Sequence, residues 1–208
     1  MKHLDESKLY GILDLKYVAP SDIVRVATQM VHGGVDILQL RAKTFIPDDV
    51  RWFAEQIHPI TSSAGVPFVI NDYPEVAAQI GAEGVHIGQD DLSVDRTREL
   101  AGYRTVIGKS THSIAQAMAA AVEDTDYLGF GPLFATLTKP DYPPVGLQDI
   151  KTVHEMVKKP IFCIGGVKMD NVRQVLDAGA HRIVIVSGIL QATDIEAYCR
   201  KVKGMLEG

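Results

Sequence analysis

The sequence predicts a single-domain α/β protein with the fold of a (β/α)8 TIM barrel over residues 1–208. Short apolar runs alternate with longer segments of helical periodicity along the whole chain. Eight runs can be counted, and each is nearly continuous in Val, Ile, Leu or Phe, which is typical of parallel strands covered on both faces. Eight strand–helix units in 208 residues leave room only for short loops. A doubly wound open sheet remains the alternative, because periodicity alone does not show that a sheet closes.

The predicted strands are five or six residues long and alternate with helices that have recognisable ends. In chain order the strands cover residues 9–14, 37–42, 68–72, 84–88, 105–110, 127–131, 161–165 and 182–187. Helices are predicted to begin at proline and capping residues, namely Pro20-Ser21-Asp22, Pro47-Asp48-Asp49, Ser113 and Asp170. They are predicted to end at glycines, namely Gly33-Gly34, Gly65, Gly81, Gly102 and Gly179.

Composition and charge exclude several classes of protein. The formal net charge of −5 and the isoelectric point of about 5.8 argue against a general binder of nucleic acid or of anionic membranes. No apolar run approaches the roughly 20 residues that span a bilayer, and residues 1–10 lack the apolar region of a secretory signal. Cys163 and Cys199 are expected to be core thiols in a reducing compartment. We therefore expect a cytoplasmic protein that acts on small molecules, with a homo-oligomer possible.

Polar side chains collect at the predicted carboxyl ends of the strands, where the active sites of such barrels lie. Gln39, Arg41 and Lys43 end strand 2 and share one face, because side chains alternate along a strand. A glutamine suits the edge of a heteroaromatic ring, and arginine and lysine suit phosphate oxygens. The alternative is an exposed strand end with solvated cations.

Two acidic residues after neighbouring strands predict a metal site. Asn71 and Asp72 end strand 3, and Asp91 follows strand 4. Mg²⁺ prefers one or two carboxylates together with phosphate oxygens and water. The alternative is that Asp72 and Asp91 cap the helices that follow them. His86, inside strand 4, is expected to be a hydrogen-bonded core histidine rather than a ligand.

Strands 5 and 6 add hydroxyl groups and a further cation. Ser110 ends strand 5 as a candidate phosphate donor, whereas His112 has no nucleophile or carboxylate near it in sequence that would favour a general base. The segment after strand 6 continues without regularity to residue 146 and predicts a lid over the site. Its polar candidates are Thr136, Thr138 and Lys139.

Glycines after the last two strands predict a second, uncharged anion site. Gly165-Gly166 follow strand 7, and Ser187-Gly188 end strand 8. Such loops bring backbone N–H groups and a helix N-terminus close to a phosphate. Two anion sites on one rim predict two phosphorylated ligands or one long one.

The chain resembles the thiamine-phosphate synthase family from about residue 9 to residue 198. The matching segments are "QLRAK", "VINDYPEVAAQIGAEGVHIGQDD", "IGKSTHS", "DYLGFGPLFATLTK", "CIGGV" and "AGAHRIVIVSGI". The resemblance implies a transferase that joins hydroxymethylpyrimidine diphosphate to a thiazole phosphate, or to its carboxylated form with loss of CO₂. The products it implies are thiamine phosphate and diphosphate, formed by a dissociative, Mg²⁺-assisted mechanism.

The resemblance also implies roles for single residues. Gln39 would contact the pyrimidine, and the diphosphate would be bound by Arg41, Lys43, Asn71 and Ser110. Asp72 and Asp91 would hold Mg²⁺. The segment that closes over the diphosphate and the thiazole would contribute Thr136, Thr138 and Lys139, and the thiazole phosphate would lie against Gly166, Val186 and Ser187. Arg41, Ser110 and Lys139 would be catalytic.

Two other functions remain alternatives. One is thiazole tautomerase, a branch of the same family that carries a histidine where this chain has Pro132 and that lacks part of the diphosphate-binding set. The other is a binding or regulatory protein of the thiamine pathway without catalytic activity. The full diphosphate set favours the synthase.

Overall fold

The computed structural model describes residues 4–136 and 143–208 as a closed barrel of parallel strands. Each strand pairs with the next along the chain, and the eighth returns to pair with the first. Closure confirms the predicted barrel and excludes the open sheet. The strands are β1 (Leu9–Asp14), β2 (Ile37–Arg41), β3 (Phe68–Asn71), β4 (Gly84–Ile87), β5 (Val106–Thr111), β6 (Tyr127–Phe130), β7 (Ile161–Cys163) and β8 (Ile183–Ile185).

Helices in the described ranges surround the strands and bury one apolar face against them. The larger apolar cluster lies between helices and sheet, and a smaller one, including Tyr10, Tyr127 and Phe162, fills the barrel interior. The helices are α1 (Ile23–His32), α2 (Pro47–Ser63), α3 (Pro74–Ile80), α4 (Val94–Ala101), α5 (Ile114–Val122), α6 (Ile150–Met156), α7 (Val172–Asp177), α8 (Ser187–Leu190) and α9 (Ile195–Glu207). None of those described is long and apolar enough to span a bilayer.

Most of the predicted helix ends are confirmed, and one is wrong. Pro47 opens α2, and the Ser113 side chain accepts a hydrogen bond from the backbone N–H of Gln116 at the start of α5. Asp170 does not cap α7. A turn over residues 168–171 places Asn171 at the cap position, where its Oδ1 accepts from the backbone N–H of Lys168 at 2.8 Å.

Strands β7 and β8 end earlier than the sequence predicts. Gly165 and Gly166 have φ values of +99° and +67°, a left-handed conformation that ends the extended strand. Ser187, predicted to be the last residue of strand 8, is instead the first residue of α8. The early ends place glycines and the start of a helix at the rim on this side of the barrel.

Both cysteines are buried and unpaired, as the sequence predicts. Burial raises the pKa of each thiol, Cys163 and Cys199, to about 12. Such thiols stay protonated and pack as small apolar groups.

Candidate active site

A cavity opens at the carboxyl ends of the strands and receives residues from the ends of all eight. It encloses about 750 Å³ of space, part of it continuous with solvent. Its walls include most of the candidate residues of the described segments, namely Gln39, Arg41, Asn71, Ser110, Thr136, Gly166, Val186 and Ser187. The structure therefore brings these residues together around one cavity, and their roles there stay predictions.

Arg41 lies in the wall of the cavity, and its charge is balanced from the neighbouring strand. One of its terminal nitrogens lies 2.6 Å from Oδ2 of Asp14, the last residue of β1. The Asp14 side chain is only 2% exposed. Because a short, nearly buried ion pair fixes the guanidinium, its other N–H groups are held in place for an anion. Sequence analysis missed Asp14, although its position at a strand end was a usable signal.

Lys43 lies between the two candidate metal ligands at the carboxyl ends of the strands, and none of the three is among the described residues that line the cavity. Its Nζ is 2.6 Å from Oδ2 of Asp72 and 3.9 Å from Oδ1 of Asp91. Asp91 also accepts a hydrogen bond at 2.6 Å from the backbone N–H of Gly88. The two carboxylates thus converge on one ammonium group, and the metal site that the sequence predicts there stays a prediction.

Asp72 is held in a conformation that few residues adopt. Its φ is +68°, and its backbone N–H donates to the carbonyl of His86 at 3.0 Å. Burial raises the pKa of its carboxyl, Lys43 opposes that rise, and Asp91 adds to it. The proposed capping role is wrong for both carboxylates, because the cap positions of α3 and α4 are Tyr73 and Ser93.

Asn71 contributes a buried amide to the cavity wall. The residue is 7% exposed, and its Nδ2 has no hydrogen-bond partner among the residues that the structure describes. An unpaired buried donor costs free energy unless a ligand satisfies it. The amide is therefore suited to donate to an oxygen of a bound molecule.

Beneath the cavity, five polar side chains join by hydrogen bonds across the barrel interior. The chain runs through Gln39, Tyr10, Tyr127, His86 and Ser110, and its four links measure 2.7, 3.0, 3.0 and 2.9 Å. His86 is hydrogen-bonded, as expected, but its ring also lines the cavity. Sequence analysis missed Tyr10 and Tyr127, because their apolar context resembles that of ordinary core residues.

The side of the cavity formed by β6, β7, β8 and the segments that follow them carries glycines beside apolar residues and no charged residue among the described ones. A Cβ atom on Gly166 would lie 2.7 Å from Cβ of Phe134, so only glycine fits there without displacement. The backbone N–H of Phe134 donates to the carbonyl of Gly165 at 3.0 Å and joins the two loops. Thr138 and Lys139 lie outside the described residues, and so does the middle of the predicted lid.

The closed barrel and its rim cavity define the class of the protein as a (β/α)8-barrel enzyme with its active site at the carboxyl ends of the strands. Residues 9–189 match the family model described as thiamine monophosphate synthase. The chain therefore belongs to the thiamine monophosphate synthase family, and it is an enzyme of the transferase class.

Relatives of similar length support this assignment. A protein named thiamine-phosphate synthase from Pelotomaculum thermopropionicum is 40% identical over 97% of this chain and 93% of its own length. One of the same name from Shouchella clausii is 38% identical over 96% of each chain. A solved thiamine phosphate pyrophosphorylase from Pyrococcus furiosus superposes with a TM-score of 0.90 at 28% identity, covering 98% of this chain and 97% of its own.

Proposed function

We propose that the chain forms thiamine phosphate from hydroxymethylpyrimidine diphosphate and a thiazole phosphate, with release of diphosphate. A carboxylated thiazole phosphate would be accepted with additional loss of CO₂. The observation that carries the proposal is that one cavity is lined by Gln39, Arg41, Asn71 and Ser110 of β2, β3 and β5 and also by the segment after β7, where Gly165 and Gly166 lie, and the segment after β8. One side fits a heteroaromatic ring with a strongly anionic group, and the other fits a monophosphate.

Gln39 and Arg41 would receive the two parts of the pyrimidine substrate. The amide of Gln39 is 1% exposed and can offer a donor and an acceptor to the ring edge. Arg41 lies two residues further along the same strand face, and Ser110 and Asn71 supply neutral donors beside it. Lys43 would neutralise diphosphate charge at the mouth of the cavity.

The residues at that mouth fit Mg²⁺ by the chemistry of their donor set. Asp72 and Asp91 already converge on the ammonium group of Lys43, so the protein stabilises positive charge at this point. The described residues hold no group of three or more candidate ligands. That suits Mg²⁺, which takes one or two carboxylates and completes its octahedron with water and phosphate oxygens. When bound there, Mg²⁺ would neutralise charge on the diphosphate.

The thiazole phosphate would bind on the opposite side, against Gly166, Val186 and Ser187. Gly166 lets the backbone approach closely, and the first N–H groups of a helix such as α8 have no partner within the helix. An uncharged cradle holds a phosphate by hydrogen bonds without competing with the cations across the cavity for the diphosphate.

The arrangement favours bond breaking before bond formation. As the carbon–oxygen bond to diphosphate breaks, negative charge grows on the leaving oxygen, where Arg41, Lys43 and Ser110 would stabilise it. The electron-rich pyrimidine supports the positive charge left on its methylene carbon. The thiazole nitrogen then attacks that carbon with its own lone pair, so no protein base has to remove a proton.

The test is a diphosphate-release assay with both substrates, with and without Mg²⁺. Asp91→Ala should lower kcat/KM by about 10²-fold or more, the scale for one lost preorganised charge contact. Lys139→Ala should do the same. Asp95→Ala, an exposed acidic residue in the first turn of α4, is the matched control.

The same assay separates the alternatives. Thiazole turnover without Mg²⁺ and without the pyrimidine substrate would identify a tautomerase instead. Tight binding of both substrates with no release of diphosphate would identify a binding protein. Wild-type turnover of both Asp91→Ala and Lys139→Ala would contradict the proposed roles. Cytoplasmic location and a homo-oligomeric state stay predictions of the sequence.

A further inference from the structure

We propose that Tyr10, Tyr127 and His86 are positioning residues, which set the direction of the hydrogen bonds offered by Gln39 and Ser110 to the substrate. The two ends of this interior chain lie on different strands, Gln39 on β2 and Ser110 on β5. What the two ends bind rests on the proposed function. The donor-to-acceptor direction of the hydrogen bonds along this interior chain is a property of the protein without substrate, and it can be tested separately.

The interior chain is well shielded from water. Gln39, Tyr10 and Tyr127 are each 1% exposed, and the ring of Phe162 packs edge-on against both tyrosine rings with centroids 5.4 Å away. Gly108 makes room for Tyr127, because a Cβ atom at that position would collide with the phenol ring. Buried hydrogen bonds of this kind do not exchange readily with water, so their direction persists.

The direction follows from the chemistry of the groups. An amide nitrogen can only donate, and Nε2 of Gln39 donates to the hydroxyl of Tyr10. Among the described residues, the hydroxyl of Tyr127 is the acceptor within reach of the Tyr10 hydrogen, with the two oxygens 3.0 Å apart. If Tyr127 accepts there, its own hydrogen is left for Nδ1 of His86, also 3.0 Å away. Burial raises the pKa of both phenols, so both keep the hydrogens that the chain requires.

The last link fixes the tautomer of His86. With Nδ1 accepting from Tyr127, a neutral imidazole carries its hydrogen on Nε2, which donates to Oγ of Ser110 at 2.9 Å. Since that oxygen already accepts a hydrogen bond, the hydroxyl hydrogen of Ser110 is directed elsewhere. Because Ser110 lines the cavity, its hydroxyl hydrogen can be donated to an oxygen of a diphosphate bound there.

Breaking the interior chain at Tyr127 should therefore act on Ser110 through His86. In Tyr127→Phe the Nδ1 atom loses its donor, and the imidazole is free to take the other tautomer. Nε2 would then accept from Ser110, and the serine hydrogen would turn away from the substrate. A purely structural role for Tyr127 would lower stability without changing the tautomer.

The first experiment observes the tautomer by nitrogen NMR of the protein labelled with ¹⁵N-histidine, with His86 assigned by comparison with His86→Gln. We expect the Nε2–H tautomer in the wild type and a decreased population of it in Tyr127→Phe and in Tyr10→Phe. Tyr198→Phe, which removes a phenol that accepts from the backbone N–H of Met169, is the control and should leave His86 unchanged. An Nδ1–H tautomer in the wild type, or one unaffected by Tyr127→Phe, would overturn the proposal.

The second experiment is a double-mutant cycle on kcat/KM. Tyr127→Phe should lower kcat/KM about tenfold in the wild-type background, the scale of one lost hydrogen bond. In the Ser110→Ala background it should cost about twofold or less, because the serine hydrogen is already gone. Equal costs in both backgrounds would contradict the inferred coupling. If the wild type itself released no diphosphate, the proposed function would fail while the NMR result still decided the direction of the chain.

Discussion

The two ends of the barrel use charged residues in opposite ways. At the amino ends of the strands, the carboxylate of Asp36 is fully buried and accepts from the backbone N–H groups of Lys8 and Leu9, each at 2.9 Å, while Lys203 pairs with it. At the carboxyl ends, Lys43 and Asp72 pair chiefly with each other and remain partly exposed. The charges at the amino ends bind the chain to itself, whereas those at the carboxyl ends lie at the end of the barrel on which the cavity opens.

Arg98 is a second example of a charge that is satisfied within the fold at the amino ends of the strands. Its guanidinium pairs with Asp124 at 2.9 Å and with Asp126 at 3.1 Å, and Asp126 in turn accepts from the backbone N–H of Ile107. At the rim, by contrast, the buried amide of Asn71 has an Nδ2 without a partner in the described part of the chain. The charged groups at the amino ends thus find their partners within the fold, whereas the rim offers a buried donor beside a cavity, so substitutions at the two ends should separate stability from activity.

The largest effect is expected at Asp36. Asp36→Ala leaves Lys203 and two backbone N–H groups without their carboxylate, so we expect a loss of about 3–5 kcal/mol in the free energy of unfolding. Urea denaturation measures the loss. Glu55→Ala, which removes a carboxylate from a solvent-exposed pair with Arg51, should cost less than about 1 kcal/mol. Equal losses in the two variants would contradict the contrast.

The opposite result is expected at Asp72. Asn tolerates the left-handed backbone conformation almost as Asp does, but it removes the charge. Because burial raises the pKa of this carboxyl, its ionised form already costs free energy in the fold. Asp72→Asn should thus lower kcat/KM by about 10²-fold with little loss of thermal stability. A large fall in melting temperature with unchanged kcat/KM would place Asp72 with the structural charges.

The sequence predicts the rim better than it predicts the interior. Arg41, Lys43 and Asp72 follow strand ends directly, and closure of a parallel barrel brings all strand ends to one rim. The position of a residue at a strand end does not reveal the hydrogen-bonded side chains in the barrel interior. Tyr10 and Tyr127 have the apolar neighbours of core residues. They lie on β1 and β6, which do not pair, so only the three-dimensional structure shows that their hydroxyl groups meet across the barrel interior.

The sequence also does not decide which residue caps a helix where two adjacent residues are both suitable. Ser113 was predictable because it alone precedes α5 with a suitable hydroxyl. Asp170 and Asn171 are adjacent and both are good caps, and the backbone turn from Lys168 decided between them. Asp14 was missed for a different reason, since its partner Arg41 lies on another strand.

A smaller effect tests whether every polar residue at the rim is functional. Ser113 lies after the carboxyl end of β5, but its hydroxyl accepts from the backbone N–H of Gln116, as a helix cap does. Ser113→Ala should cost about 1 kcal/mol of stability, the usual value for one lost cap, and leave kcat/KM unchanged. Ser113→Asp, which restores a capping acceptor, should recover the stability. A loss of activity in Ser113→Ala would show that hydrogen-bond partners do not separate structural from functional polar residues at the rim.

The smallest effect concerns pH and a histidine at the structural end. The ring of His154 packs against that of His181 with centroids 4.9 Å apart, and its Nε2 is buried without a partner within the described ranges. Burial, together with His181 and Arg182, lowers its pKa from 6.5 to about 4. The unfolded chain then takes up the proton first as the pH falls, so the contribution of His154 to stability is complete above about pH 6.5 and is lost towards pH 4.

Removing this histidine should flatten the dependence of stability on pH. His154→Gln has no group that titrates in this window, so its free energy of unfolding should fall less steeply than that of the wild type between about pH 6.5 and about 4. Urea denaturation across that range measures both slopes. Because His154 lies away from the rim cavity, kcat/KM of the variant at neutral pH should equal that of the wild type. Identical slopes would mean that the pKa of His154 is the same in the folded and the unfolded chain, and that burial does not hold its imidazole neutral.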